Sequence, residues 1–196
     1  GMESIVKNQS NGVLLSLMVN ATIGQPNIVK KLCDAQLKVD PYSITALKGR
    51  LLAVTKTDSL DEVKQEVVDA LSLQPSLYLA HRTGIDIAYH VENDVAKALD
   101  KCKNALNHHP NHPQLMGYLI LLQSELGEHE STKNSISVML KQYDKSLDAY
   151  LIAAQAEYNL GNAQGQVKRL NEWLQKYEMH PISSSDPNYS IHPKYL

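Results

Sequence analysis

Apolar residues recur along most of this chain at helical spacing, and two kinds of punctuation cut the helical stretches at regular intervals. Val13, Leu14, Leu17 and Met18 fall on one stripe of a predicted first helix within residues 12–24. Farther on, Pro75 follows Pro41 by 34 residues and Pro110 follows Pro75 by 35. The segments ahead of these prolines, "DAQLKVDP", "DALSLQP" and "NALNHHP", bring Leu37, Leu71 and Leu106 to one position, and further steps of 34 reach Leu140 and Leu174. Ala70 and Ala105 share a column before the proline. Ala46, Ala80 and Ala149 share one after it, with Leu115 between them.

The second punctuation runs in antiphase. Gly24, Asp58, Glu92, Gly127 and Gly161 are spaced 34, 34, 35 and 34 apart. Glycine just past an apolar-periodic segment is a helix stop, because it adopts the left-handed conformation that closes the last turn. Each period therefore predicts two antiparallel helices of about 13 to 15 residues, and five periods account for residues 10–178.

A helix–turn–helix of this length, with a small residue early in helix A, a glycine turn, an Ala–Leu pair late in helix B and a closing proline, resembles the tetratricopeptide repeat. "ALDKCKNALNHHP" (residues 98–110) and "AYLIAAQAEYNLGN" (residues 149–162) carry the resemblance best. The chain departs from the pattern where Leu51, Ile85 and Ile120 replace the small residue of mid-helix A, which only Ala154 keeps. It departs again where Asp144 and Glu178 replace the closing proline. The resemblance implies an all-α, right-handed α-solenoid of about ten helices over residues 10–178, with residues 1–9 as a lead-in and 179–196 as a non-helical tail.

It also implies a groove lined by helix A residues: Lys48, Leu52 and Thr55 from the second repeat, Arg82, Asp86 and Tyr89 from the third, Tyr118, Leu121 and Glu125 from the fourth, and Ile152, Gln155, Tyr158 and Asn159 from the fifth. The implied function is a non-catalytic module or scaffold that binds a peptide or protein segment. A regulatory or assembly domain of a larger enzyme or complex is the alternative. Members that clamp a terminal carboxylate do so with Lys, Arg and Asn residues. Lys48 and Arg82 supply charge here, but the asparagines of that pattern are missing, so this clamp is not expected.

The ends need separate treatment, since an outermost repeat exposes a face that its neighbours bury. Trp173 occupies the column of Ala70 and Ala105. The tail from His180 to Leu196 is rich in proline and serine yet carries Ile182, Tyr189, Ile191, Tyr195 and Leu196. It is a disordered end or linker, or it folds back as a cap over Leu170, Trp173 and Tyr177, or it docks into a neighbouring molecule.

Composition narrows the function classes. The 196 residues carry 19 basic and 21 acidic side chains, and a net charge of −2 gives no electrostatic case for nucleic acid or anionic membrane. No apolar run approaches the roughly 18 residues that span a bilayer. With Glu3 where a signal peptide would be positive, a cytoplasmic protein is expected, and Gly1 ahead of Met2 reads as a remnant of expression. No phosphate-cradling glycine loop, H-E-x-x-H, C-x-x-C or G-x-S-x-G occurs, so neither an enzyme nor a cofactor is expected.

Three local features invite chemistry, and each has a plainer reading. Cys33 and Cys102 share a column two repeats apart, which at one helix diameter per repeat is about 20 Å. That is beyond the roughly 7 Å between Cα atoms that a disulfide allows, so two separate buried thiols are expected. His108, His109 and His112 are possible zinc ligands, but Pro110 and Pro113 put them on an inter-repeat turn, and a solvated turn is expected. "DEVKQEVVD" (residues 61–69) reads as the wet face of an amphipathic helix.

Overall fold

Most helix boundaries within residues 24–176, which the computed structural model describes, are set by local side-chain chemistry. Helix α1 (Pro26–Val39) opens on a proline, whose missing N–H costs nothing in a first turn. Helix α2 (Ile44–Thr57) starts at Ser43, and α3 (Leu60–Leu73) starts in a capping box, where Ser59 and Glu62 each bond the other's backbone N–H. Helix α4 (Tyr78–Asp86) runs on into a π-turn (Ile87–Val91). Helix α5 (Val95–His108) is capped by Asp94, which accepts from the Lys97 N–H at 2.9 Å. Then come α6 (Pro113–Glu125), α7 (His129–Gln142), α8 (Leu147–Asn159, capped by Ser146) and α9 (Ala163–Lys176). Among the described residues there are nine α-helices and no strand, so the fold is all-α.

The chain divides into two units between Ile87 and Ala88. In the first, Leu47, Leu51 and Val54 of α2 meet Val67 and Ala70 of α3 and Ala80 of α4, with Leu37 and Leu71 against them. Val29 and Cys33 of α1 pack on Ala46 and Ala53. In the second, Met116 and Ile120 of α6, Ile136 and Met139 of α7 and Ala149, Ala153 and Ala156 of α8 form the core, with Leu106 and Leu140 at its edge. The expected columns are thus core columns. Ala46, Ala70, Ala80, Ala105 and Leu115 are wholly buried, as are Leu51, Ile85, Ile120 and Ala154. Leu51 shares its cluster with Ala70 and Ala80, and Ile120 shares its own with Ala149, Ala153 and Ala156, so small neighbours make room for both.

Two turns close as the glycines predict. Gly127 and Gly161 have φ of 71° and 74°, and the Glu128 and Asn162 N–H groups reach back to the Gln123 and Glu157 carbonyls. The third repeat differs. Its left-handed residue is Asn93 (φ 53°), not Glu92, and the closing bond runs from the Asp94 N–H to the Ala88 carbonyl, one residue farther back. Pro75 and Asn93 are 18 apart, whereas Pro41 and Asp58, and Pro110 and Gly127, are 17 apart. The single 35-residue period is therefore one extra helical residue, which the π-turn absorbs. This also corrects the expected helix length, because α4 has only nine regular residues.

A second correction concerns the expected wet face of α3. Asp61, Glu62, Gln65 and Asp69 are exposed, but Glu66 is only 5% exposed. Arg50 of α2 reaches it with Nη1 and holds Asp34 of α1 with Nε at 2.7 Å. Burial still holds the Glu66 carboxyl above its ordinary value, against the pull of Arg50, and Oε1 is buried with no hydrogen-bond partner.

Candidate functional site

On α2, Lys48, Leu52 and Thr55 form one exposed stripe, with Leu52 46% exposed and the Thr55 hydroxyl donating to the Leu52 carbonyl at 2.9 Å. On α4, Arg82 and Asp86 lie one turn apart and pair at 3.5 Å. These five belong to the first unit. The other eight belong to the second, where α6 and α8, the first helices of two successive pairs, pack side by side.

There the side chains are held by one another. The Asn159 amide donates to the Ser124 hydroxyl at 2.9 Å, Ser124 donates to the Leu121 carbonyl at 2.7 Å, and Gln155 donates to the Asn159 carbonyl oxygen at 2.9 Å. Asn159 therefore joins α8 to α6, and Gln155, four residues earlier on α8, holds the Asn159 side chain in place. Ile152 is half-buried beside the core, and Gly117 makes room for it, since a Cβ there would stand 2.9 Å from Ile152 Cδ1. Tyr118 and Leu121 are half-buried, while Glu125 and Tyr158 are exposed. Tyr89, in the π-turn, donates its hydroxyl to Glu125. Its own burial and that carboxylate push the phenol up to about 12. His90 stands edge-on to Tyr89, with ring centres 4.7 Å apart.

The two sets differ in charge. Helix α2 carries Lys48, Arg50 and Lys56, and α4 carries Arg82 together with the Asp86 that pairs with it. Helices α6 and α8 carry Glu125, Asp148 and Glu157 and neither lysine nor arginine. Glu157 is buried, and Arg169 of α9 at 3.3 Å and Asn162 at 2.8 Å bond it.

Sequence reasoning missed Ser124, Arg50, Glu66 and the π-turn. Glu66 carried a signal, since it sits three residues after Val63 and four before Ala70, on the apolar stripe. The π-turn carried one too, in the lone 35-residue spacing.

Cys33 and Cys102 are buried free thiols, pushed up to about 11 and about 12, chiefly by burial, and Cys102 donates to the Leu115 carbonyl at 3.3 Å. His112 occupies the N-cap position of α6 with its ring 6.1 Å from that of His109. Among the described residues no three His, Cys, Asp or Glu side chains are grouped to hold a metal ion. No described helix is long and apolar enough to cross a membrane. At the chain end Leu170 is buried and Trp173 half-buried, while Tyr177 and the tail lie outside the described residues. A shallow depression of about 350 Å³, lined by Leu106, Met116, Leu119 and Val138, lies on the other side of α6, between α5 and α7.

The same arrangement of stacked helix pairs recurs in solved structures. PilW, described as a widely conserved type IV pilus biogenesis factor, superposes with a TM-score of 0.64 at 14% identity, over 86% of this chain and 79% of its own. MamA gives 0.63 at 15% identity, over 89% of this chain and 100% of its own. The fold is the tetratricopeptide-type helical repeat. A chain of the Naa15/Naa10 structure with HypK bound gives 0.59 at 20% identity, over 89% of this chain but 27% of its own. No family model and no curated protein matches the sequence.

Proposed function

We propose that this chain is a non-catalytic interaction module that holds a segment of a partner protein against the first helices of its repeats. The observation that carries this reading is the α6/α8 face. Its tyrosines and leucine are partly exposed, while the Gln155–Asn159–Ser124 chain and the Tyr89–Glu125 bond hold the backbone and side chains beneath in one arrangement. A preformed face lowers the ordering cost of binding, and tyrosines add contact area together with a hydroxyl. The HypK-bound structure supports a protein partner for this fold. The 27% coverage of that chain favours, as a second reading, a unit that works inside a larger assembly. Buried free thiols suit a reducing compartment such as the cytoplasm.

A photo-crosslinking amino acid at position 121 tests the reading against one at position 138, beside the depression on the opposite side. In cells making the full chain, the position 121 probe is expected to give a discrete protein adduct that Tyr118→Ala abolishes without lowering the melting temperature. Adducts from position 138 alone would refute it.

A further inference from the structure

We propose that the partner segment presents an arginine or lysine, and that this side chain docks at Glu125. The inference rests on the binding role just proposed for the α6/α8 face and assigns its chemistry. Four observations converge. Glu125 is the last residue of α6, so its charge adds to the negative end of the helix dipole and to the carbonyls of that turn. Among the described residues Glu125 is met by the Tyr89 hydroxyl and by no ammonium or guanidinium, and the Lys97 ammonium of α5 is held by Glu92 at 2.8 Å. Neither α6 nor α8 has a basic residue, so the face offers a cation no competition and an incoming carboxylate no partner. Aromatic rings accompany the charge. Tyr89 stands at Glu125, and Tyr158, 61% exposed, directly precedes the Asn159 that is bonded to Glu125's neighbour Ser124.

The π-turn gives the arrangement its particular form. One residue beyond the repeat length is kept in the helix that ends at this level, at the expense of regular hydrogen bonding, and it sits where Tyr89 meets Glu125. The turns after α6 and α8, which lack the extra residue, close in the ordinary way.

The test uses the full chain, labelled with ¹⁵N, and three capped peptides identical but for a central Arg, Gln or Glu between leucines. The Arg peptide is expected to shift the amides of residues 88–93 and 125–128 and to bind roughly three- to tenfold more tightly than the Gln peptide, with the Glu peptide weakest. Glu125→Gln, which still accepts from Tyr89, is expected to erase that preference and leave the circular dichroism unchanged. Equal or tighter binding of the Gln or Glu peptide at these amides would overturn the cation site and leave the binding role standing. An Arg preference that survives in Glu125→Gln would overturn the assignment to Glu125. If no peptide moves any amide of α6 or α8, both readings fall.

Discussion

Replacing Arg50 with leucine should destabilise the first unit by an amount set almost wholly by pH. Glu66 is 5% exposed, and its bonded oxygen depends on Arg50. Without the guanidinium the carboxyl must either stay charged and unpaired or take a proton. Taking a proton at pH 7 costs about 1.36 kcal/mol for each unit between its ordinary value of 4.5 and the solution pH, which caps the penalty at about 3.4 kcal/mol. The native protein already bears part of this, because Oε1 has no partner, so a loss of about 2 to 3 kcal/mol is expected at pH 7. At pH 4.5 the same cap falls below about 0.5 kcal/mol.

The sign follows from the direction of the shift. Folding raises the Glu66 value, so the folded state keeps its proton above pH 4.5, and this group's contribution to stability falls as pH rises through that window. Removing Arg50 deletes the influences that oppose the rise and carries the window higher. Asp34, also paired with Arg50, is 42% exposed and adds little. Urea unfolding followed by far-ultraviolet circular dichroism at pH 4.5 and pH 7 measures the difference. Adding Glu66→Gln should flatten it. Equal destabilisation at both pH values, or a double variant as pH-dependent as the single one, would refute the reasoning.

Three further outcomes follow from the turns and the thiols. Gly127→Ala and Gly161→Ala should each cost about 1 kcal/mol in the same unfolding assay, since both positions have positive φ in open space, whereas Asn93→Gly should be neutral or stabilising. Cys33 and Cys102, held protonated by burial, should resist a disulfide reagent at pH 8 in the native protein and react fully in denaturant; prompt native reaction would contradict their placement. Deleting His90 should return the π-turn to a regular helix with little change in melting temperature, and the Tyr89 phenol, freed from Glu125, should titrate nearer its ordinary value by NMR.

The fold was legible because small and large apolar residues recur in register. Ala70, Ala105 and Met139 sit in one column and are all buried, and one helix pair cannot satisfy such a column alone. Side-chain pairing was less legible, because a column says which way a residue faces and not what meets it. Gln155 and Asn159 were expected on the binding face, and the sequence did not show that Gln155 holds the Asn159 side chain while Asn159 reaches across to Ser124 of α6. Glu66 looked like solvent-facing charge because eight of its neighbours in that stretch are mixed in character; the cation that lets it be buried lies 16 residues earlier. One joint shows the same point twice: Gln123 with Ser135 at 2.8 Å and Glu157 with Arg169 at 3.3 Å occupy equivalent positions 34 residues apart, one pair neutral and the other charged.

After the π-turn the stop residues Asn93, Gly127 and Gly161 keep step at intervals of 34. Nothing downstream inherits the added residue. A helical array can thus lengthen by one position inside an element instead of in a loop, and a comparison that assigns the gap to the turn after Val91 would misplace Tyr89 and every residue of the bulge. The gap belongs within residues 87–91. Set there, it leaves each repeat's own numbering intact and isolates the single stretch where this chain departs from its own period.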